Sequence, residues 1–451
     1  MNVIVNTFLN PYFYIVKKIV FNILGSLTFI TTAFFFACKK DHGDTTPPEI
    51  QVTNPYYGQT FMVGDTIHAD FSVSDNTAIN SISVMIADSN LVTVMSPVGV
   101  FPTSKNASYH LDYPISDLHL NGGLHYFKVV AFDGYNNVTK YQRIYLTALP
   151  KKRLAYFFVT HPTANSVQVS RLDSALNPSA YYSLNGDLVN SDISSYTQQL
   201  FTCGMYTGHM NAIALDAPAV AWYLPVINNS IPYFENVYSA GNTVYVSCYQ
   251  GSTIKGYDGN GNQRFIATVA NNYYPIHTFR HDIYLVTEAK DVSSLAKKII
   301  LYYAAGGASF QECIMNQDVV SFFTKDSDNI FVFGNNGNQG VVQIYRVSTN
   351  GFWSPLNLAA GKILSVAQVS SDVYLIAHSN GTIYKYQYSN SSIVPFIPGV
   401  TASHMAFDDV NQEVLVSDVN TIKKFNYSNA ALINSFTATD SVCGLHIQFN
   451  K

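Results

Sequence analysis

The sequence predicts an all-β protein whose carboxyl-terminal part is a seven-bladed β-propeller. Apolar runs recur seven times at intervals of 39 to 47 residues, and most are followed by a second strand-like run and by turn residues. A period in the low forties built from short strands is typical of propellers, with one four-stranded blade per repeat. The centres of the seven runs are Phe157, Phe201, Tyr245, Tyr284, Phe331, Tyr374 and Leu415.

The phase of the repeat predicts how the propeller closes. A strand-like run precedes most of the seven centres, but only the linker, residues 149–153, precedes Phe157. Residues 442–449 form a strand-like run with no centre after it. We therefore expect this last run to supply the innermost strand of the first blade, which leaves no open sheet edge in the propeller, residues 154–451.

A first domain is predicted at residues 49–148, where six or seven short alternating runs are separated by turns. The run at residues 125–133 resembles the penultimate strand of bacterial immunoglobulin-like (Ig-like) domains. The resemblance implies an Ig-like β-sandwich that acts as a spacer. The stretch contains no cysteine, so the disulfide of antibody domains is absent.

Two groups of acidic and amide residues could hold calcium. Asp70, Asp75, Asp133 and Asn137 could meet at one end of the first domain, although turn formation is the favoured explanation for them. Residues 258–262 begin like a calcium loop, but the twelfth position is Val269 where a glutamate is needed. We interpret these five residues as a tight hairpin turn.

The amino terminus predicts secretion and a lipid anchor. Residues 19–37 are apolar or small, two lysines precede them, and Cys38-Lys39-Lys40-Asp41 follows. The end of this run resembles a bacterial lipobox, although Phe35 replaces the usual leucine. The resemblance implies a signal peptide at residues 1–37, lipidation of Cys38 and a tether at residues 38–48.

The residues after Cys38 resemble the mature start of Bacteroidota surface lipoproteins. That resemblance implies an outer-membrane location facing the cell surface, with a periplasmic orientation as one alternative. A second alternative is an uncleaved transmembrane anchor, since the apolar run could nearly span a bilayer.

The composition excludes some functions. The formal charge is −4 and no basic stripe is visible, which argues against nucleic acid as a partner. The cysteines after Cys38 lack metal-ligand spacing, so we expect free buried thiols, with one disulfide as the alternative. These cysteines are Cys203, Cys248, Cys313 and Cys443.

Candidate ligand-binding residues are histidines and tryptophans of the propeller. His161 and His378 each follow a repeat centre by four residues, and closure of the ring makes His404 and His446 neighbours. These histidines could line one mouth or the central channel and bind a metal or an anionic ligand. Trp222 and Trp353 could stack on a sugar ring, with packing between blades as the alternative. We predict no metal and no cofactor.

The predicted function is ligand binding rather than catalysis. No nucleophile-elbow, zinc-protease, phosphate-loop or dinucleotide motif is present, and nothing in the spacing selects a catalytic carboxylate pair. The lipoprotein resemblance implies a nutrient-capture or adhesion accessory. Its ligand would be a glycan, cobalamin or a protein, and an outer-membrane transporter would be its partner. The rivals are a propeller hydrolase or lyase, and a structural envelope protein.

Overall fold

The computed structural model describes residues 44–451 except Thr103, Asn228 and Asn229. The predicted signal peptide, Cys38 and the first part of the tether lie outside the described residues. The chain divides into two compact units, the first ending at Leu149 and the second running from Pro150 to Lys451. All 36 regular elements in the described part are β-strands. Within that part, no helix is long and apolar enough to cross a membrane.

The first unit consists of two sheets that share one apolar core. Burial alternates along strand β3, where Ile67, Ala69 and Phe71 point into the core while the residues between them face outward. Ile82 and Phe127 of the other sheet pack against the same core. The three-stranded sheet has the order β1 (Glu49–Asn54), β3 (Thr66–Ser74), β6 (Asn106–Pro114); the five-stranded sheet has the order β2 (Gln59–Met62), β8 (Asn137–Thr147), β7 (Gly123–Phe132), β4 (Ser81–Ala87), β5 (Val98–Val100).

The described part of the second unit contains seven antiparallel four-stranded sheets, numbered here 1 to 7 along the chain. Sheets 1 to 3, each given from the innermost strand outward, are β36 (Val442–Phe449), β9 (Arg153–Thr163), β10 (Ser166–Leu172), β11 (Pro178–Asn185); β12 (Asn190–Ser194), β13 (Gln199–Cys203), β14 (Met210–Ala214), β15 (Val220–Leu224); and β16 (Phe234–Ala240), β17 (Thr243–Cys248), β18 (Thr253–Asp258), β19 (Gln263–Thr268).

Sheets 4 to 7 follow the same plan. They are β20 (Tyr273–His281), β21 (Tyr284–Asp291), β22 (Lys297–Tyr303), β23 (Ser309–Met315); β24 (Asp318–Asp326), β25 (Asn329–Asn336), β26 (Gln339–Arg346), β27 (Gly351–Ala360); β28 (Ile363–Gln368), β29 (Val373–His378), β30 (Thr382–Gln387), β31 (Ser392–Pro398); and β32 (His404–Asp408), β33 (Glu413–Asp418), β34 (Thr421–Asn426), β35 (Leu432–Thr437).

The innermost strands contact one another in a closed cycle from β12 through β16, β20, β24, β28 and β32 to β36, which returns to β12. Radial repetition of four-stranded sheets is the β-propeller architecture. All seven predicted repeat centres lie on the second strand of their sheets. Six of them are buried, whereas Tyr284 at the start of its strand stacks on Phe310 instead.

The apolar core of the second unit is divided among the gaps between neighbouring sheets. Phe201 and Val246, for example, join sheets 2 and 3, while Phe333 and Tyr374 join sheets 5 and 6. The cluster that contains Tyr156, Leu415 and Leu445 joins sheet 7 to sheet 1. Each sheet is therefore stabilised by both of its neighbours around the cycle.

The sheet topology confirms the predicted pairing of the carboxyl-terminal strand. Strand β36 pairs antiparallel with β9, with Leu445 opposite Phe158 and Ile447 opposite Tyr156. Gln198 of sheet 2 donates a 2.8 Å hydrogen bond to the carbonyl of Phe449. The last strand of the chain is thus fixed on both sides.

A buried ionic network also joins sheets 7 and 1. The Arg153 guanidinium donates to Asp408 at 2.8 Å and to Glu413 at 2.6 Å, and its side chain is only 13% exposed. The Tyr156 hydroxyl donates to the same Glu413 carboxylate at 2.7 Å. Burial raises the pKa of Tyr156, and its hydrogen bond to Glu413 adds to that effect. The network therefore holds the two ends of the unit together with directional contacts.

Deleting residues 441–451 should destabilise the whole second unit. The deletion removes Val442, Leu445 and Ile447 from the core, each worth about 2 kcal/mol of burial, so we expect a loss of about 6 kcal/mol in the free energy of unfolding. Urea denaturation measures this loss, and limited proteolysis compares the resistance of the truncated chain with that of the full chain. Deleting Lys451 alone is the control, and a truncated chain as resistant as that control would contradict the closure.

Replacing Arg153 with alanine should lower the free energy of unfolding by about 3 kcal/mol, because buried Asp408 loses its cation and Glu413 keeps only the more distant Lys424, at 3.6 Å. Chemical denaturation checks the value. Arg171→Ala is the matched control, since Arg171 lies exposed on β10 of the same sheet. Equal effects of the two substitutions would show that the network does not stabilise the junction.

Candidate functional site

A cavity of about 460 Å³ lies at the centre of the ring. Its lining comes from the innermost strands of sheets 2 to 6, because these strands face the axis around which the sheets are arranged. Polar and aromatic side chains both line the cavity. The polar lining residues are Asn190, Ser191, Asp192, Asn236, Ser239, His277, Thr278 and Ser321.

Polar side chains connect strands β12 and β16 along this wall. The Asn190 amide donates a hydrogen bond to the Asn236 side-chain oxygen. The Asp192 carboxylate accepts hydrogen bonds from the Ser239 backbone at 2.6 Å and from the Ser239 hydroxyl at 2.9 Å. Burial raises the pKa of Asp192 to about 6 in spite of these bonds. Asp192 is only partly buried because it faces the cavity. Its carboxylate is nevertheless surrounded by protein, since the cavity itself is enclosed by the inner strands.

Two ionisable residues are displaced from the regular ladder at the end of the ring where the inner strands begin. We call this end the N-rim. The pairing of β16 with β17 skips Glu235, and the pairing of β20 with β21 skips His277. A β-bulge of this kind turns side chains away from their regular direction and is frequent beside functional sites. Glu235 and His277 therefore occupy equivalent positions in adjacent sheets.

A buried carboxylate orients His277. The Nδ1 atom of His277 lies 2.6 Å from a carboxylate oxygen of Glu288, whose side chain is only 2% exposed. The other Glu288 oxygen accepts a 3.3 Å hydrogen bond from the backbone of Val319 in the next sheet. With Nδ1 engaged by Glu288, the Nε2 atom remains for a ligand in the cavity that His277 lines.

Glu235 is suited to carry a proton near neutral pH. Burial raises the pKa of Glu235 to about 7, while the nearby charges of Lys290 and His277 oppose that rise. A carboxyl group with such a pKa beside an oriented imidazole can donate a hydrogen bond or act as a general acid. The N-rim between sheets 3 and 4 thus combines hydrogen-bond donors, acceptors and a titratable acid.

Of the predicted histidines, His446 and His404 come close together across the closure. His446 shares a 2.8 Å hydrogen bond with the Ser191 hydroxyl of sheet 2. Burial lowers the pKa of His446 to about 3, and the charge of His404 lowers it further. Burial likewise lowers the pKa of His404. With so low a pKa, the His446 imidazole is neutral at pH 7 and offers no positive charge to an anion.

His161 and His378 also lie near the N-rim, at the ends of second strands β9 and β29. His378 is 1% exposed, and its ring accepts a hydrogen bond from the backbone of Asn380 while its Nε2 lies 3.3 Å from the carbonyl of Ala359. Its imidazole is therefore engaged by its own loops. His161 is half-buried beside Cys443. Neither histidine belongs to the lining of the central cavity described above.

The two tryptophans lie on outermost strands, away from the cavity. Trp222 of β15 donates to the carbonyl of Gly259 at 3.1 Å and packs against Tyr257 of the next sheet. Trp353 of β27 lies against the Arg346 guanidinium, with 5.1 Å between that group and the ring centre. The indoles pack at the periphery because the widest gaps between radiating sheets occur there. Both rings pack in the clusters between neighbouring sheets, which is the alternative of packing between blades.

Cys203, Cys248, Cys313 and Cys443 are free cysteines, so the disulfide alternative does not apply to the described residues. Burial raises the pKa of Cys248 to about 11, which makes it a poor nucleophile. Asp258 accepts hydrogen bonds from the backbones of Asn260 and Asn262, as expected for a hairpin turn.

The acidic residues of the first unit form two groups rather than one. Asp75 and Asp133 converge with Asp44, within 4.8 Å of one another, and accept backbone hydrogen bonds of their own turns. Asp70 instead contacts His110 on the face of a sheet. Turn formation, the favoured explanation, therefore holds for Asp75 and Asp133, while the alternative in which Asp70 meets them does not, because Asp70 lies at an outward-facing position of β3.

Asp192, Glu235, His277 and Glu288 were not among the predicted site residues. A signal was present for two of them, because Glu235 and His277 are separated by one repeat period. Glu288 and Asp192 gave no signal of this kind. Their contacts to His277 and Ser239 depend on strand pairing and on the packing of sheets, which residue spacing does not specify.

No protein family and no curated protein sequence matches this chain. Among similar solved structures is a quinoprotein alcohol dehydrogenase-like protein from Bacteroides thetaiotaomicron, 14% identical, covering 90% of this chain and 100% of its own with a TM-score of 0.47. The WD40 β-propeller domain of Doa1 is 14% identical, covering 58% of this chain and 85% of its own with a TM-score of 0.45. A computationally designed protein, Ika8, is 12% identical, covering 65% of this chain and 90% of its own with a TM-score of 0.45.

Replacing Asp192 with asparagine should stabilise the protein at pH 7.5 and leave it nearly unchanged at pH 4. Because the pKa of Asp192 is raised to about 6, the folded state keeps a proton that the unfolded state releases, so this group lowers the free energy of unfolding as pH rises from about 4 to 6. We expect a gain of about 3 kcal/mol at pH 7.5.

Urea denaturation of the wild type and the variant at both pH values measures this gain. Other titrating groups such as His446 affect both proteins equally, so their contribution cancels when the two free energies of unfolding are subtracted at each pH. Asp282→Asn is the control, because Asp282 is an exposed aspartate in a turn of sheet 4. A gain that is the same at both pH values would exclude the raised pKa as its cause.

Proposed function

We propose that this protein is an extracytoplasmic lipoprotein that binds a polar ligand, a glycan in the first instance, at the centre of a seven-bladed β-propeller. The observation that carries the proposal is the central cavity of about 460 Å³, whose volume is typical of ligand pockets. In this proposal a lipid on Cys38 anchors the protein in the outer membrane, facing the cell surface.

The architecture supports this division of roles. The seven four-stranded sheets, whose inner strands contact in a closed cycle, support the assignment of seven blades. The two-sheet sandwich of the first unit, with a common core, supports an Ig-like domain. As a domain that follows the lipid anchor in the chain, it would act as a spacer.

The wall chemistry favours a polyhydroxylated ligand. Asn190, Asn236 and Ser239 offer amide and hydroxyl groups, which pair with sugar hydroxyls as donors and acceptors. Phe279 and Phe322 also line the cavity, with ring centres 6.2 Å apart and nearly parallel planes. Such rings can pack on the apolar face of a sugar. Cobalamin and a protein segment remain as alternatives to be tested.

A hydrolase or lyase is the second candidate, because one observation favours it specifically. Glu235, with its pKa raised to about 7, lies near His277, whose other ring nitrogen is held by Glu288. A protonated carboxyl group and an oriented imidazole can act as the acid and the base of an elimination, so this pair favours a lyase over a hydrolase, whose catalytic groups are usually two carboxylates.

A glycan array probed with the purified protein should identify a ligand that Asn190→Ala binds about 10-fold more weakly, since about 1.4 kcal/mol is the value of one hydrogen bond. Calorimetric titration of the array ligand measures the change. Asn434→Ala is the matched control, because Asn434 is an exposed amide on an outermost strand.

Three outcomes would change the assignment. Binding of cyanocobalamin without any glycan would replace the ligand class, and no binding of either would favour the structural role. Cleavage of a bound glycan that is lost in Glu235→Gln, with binding retained, would establish the enzyme instead.

Replacing Cys38 with serine should abolish incorporation of labelled palmitate and leave residues 1–37 attached. The reason is that signal peptidase II cleaves only before a cysteine that carries the lipid, so the variant keeps its apolar signal segment. Metabolic labelling and the mass of the mature chain measure both effects. Cys313→Ser is the control. A wild-type chain that carries no label and keeps residues 1–37 would establish the uncleaved anchor.

A further inference from the structure

Four ionisable side chains form a compact group on the outer face of the first unit. Strand β6 alternates like β3, so its residues Leu111 and Tyr113 pack inward while His110 and Asp112 point outward. The outward positions of β3 carry His68 and Asp70. Two imidazoles and two carboxylates therefore lie on one exposed face of two adjacent strands.

The register of the two strands pairs unlike residues directly. His68 lies opposite Asp112, and Asp70 lies opposite His110. The Nδ1 atom of His68 is 2.6 Å from Asp112, and the Nδ1 atom of His110 is 2.7 Å from Asp70. The Nε2 atom of His110 also points toward Asp112, at 3.8 Å. Asp112 is thus approached by both histidines.

We propose that His68, His110 and Asp112 form a binding site for a divalent transition metal ion, with Zn²⁺ as the best match. Imidazole nitrogens and a carboxylate oxygen are common ligands of Zn²⁺, whereas Ca²⁺ and Mg²⁺ prefer oxygen alone. One ligand atom from each of the three residues lies within 4.8 Å of the other two.

The distances suit tetrahedral coordination after small side-chain rotations. Bonds of about 2.1 Å to a tetrahedral Zn²⁺ place ligand atoms about 3.4 Å apart. The distances of 2.6 Å from His68 to Asp112 and 3.8 Å from His110 to Asp112 lie on either side of that value. The side chains of His68, His110 and Asp112 are about two-thirds exposed, so rotation meets little resistance.

Asp70 supplies the supporting contact that metal-binding histidines usually have. Its carboxylate engages Nδ1 of His110, which leaves Nε2 as the ligand atom and fixes the ring orientation. The two imidazole planes differ by only 5°, with ring centres 6.4 Å apart. Both rings are therefore presented side by side toward the same region above the sheet.

Three protein ligands leave one coordination position open. A groove of about 380 Å³, lined in part by Asp70, His110 and Thr53, adjoins the cluster. A water molecule or a donor atom of another molecule could reach the metal through this groove. The site is therefore of the open type, in contrast to structural zinc sites that are closed by four protein ligands.

The competing explanation is that the four residues are two cross-strand ion pairs. Strand β6 is an edge strand, and charged residues on an edge hinder pairing with other chains. The two explanations differ in one measurable respect. Ion pairs require no metal, whereas the metal site requires that zinc affinity depend on each of the three ligands.

The experiment is a zinc titration of the full chain in detergent, in competition with a chromophoric chelator, followed by the absorption spectrum with Co²⁺. We expect one zinc ion per chain and the intense visible bands of tetrahedral Co²⁺. His110→Ala and Asp112→Asn should each weaken zinc binding by about 100-fold, and Asp70→Asn by roughly 10-fold to 100-fold because it acts through His110.

Glu49→Gln is the matched control, since Glu49 is an exposed carboxylate on the neighbouring strand β1 of the same sheet, and it should bind zinc like the wild type. The substituted residues are exposed, so the melting temperature without metal should stay unchanged. Wild-type affinity in the His68→Ala/His110→Ala double variant would overturn the proposal. So would the absence of stoichiometric zinc binding to the wild type, which would leave only the ion pairs.

Discussion

The second unit depends on the pairing of its last strand with its first sheet. The apolar core is distributed among the gaps between neighbouring sheets, so a sheet buries both of its faces only if the cycle is complete. Strand β36 completes it by pairing with β9, and Arg153 adds buried contacts to Asp408 and Glu413 across the same junction. An open ring would expose an apolar sheet face and would release the inner strands that surround the cavity.

Closure also explains the chemistry of the candidate site. The inner strands converge on one axis, and side chains from different sheets become neighbours although they are distant in sequence. Asp192 is thereby bonded to Ser239, and Glu288 contacts both His277 and the backbone of Val319. The low-dielectric surroundings raise the pKa values of Asp192 and Glu235. A polar wall of this kind is costly for folding unless its groups are paired, as these are, or serve a ligand.

The residue pattern predicted the repeat, its centres and the closing strand, because these follow from local hydrophobic patterning with the period of one sheet. It did not select the residues that line the central cavity. Trp222 and Trp353 were chosen for their chemistry, but they lie on outermost strands where wide gaps accept large rings. His378 was chosen because its position recurs, but backbone groups of Ala359 and Asn380 already contact its two ring nitrogens. Glu235 and His277 could have been found by aligning positions one repeat apart.

The sequence by itself determined the all-β class, the repeating unit and the strand that completes the ring, since strand formation and turn placement depend on neighbouring residues. Only the tertiary structure decided which side chains meet: Glu288 with His277 in the ring, and His68 and His110 with Asp112 on the first unit. The physical reason is that strand register, bulges and sheet packing determine side-chain proximity. A shift of one residue in any pairing would reverse the faces of that strand, and residue composition alone does not report it.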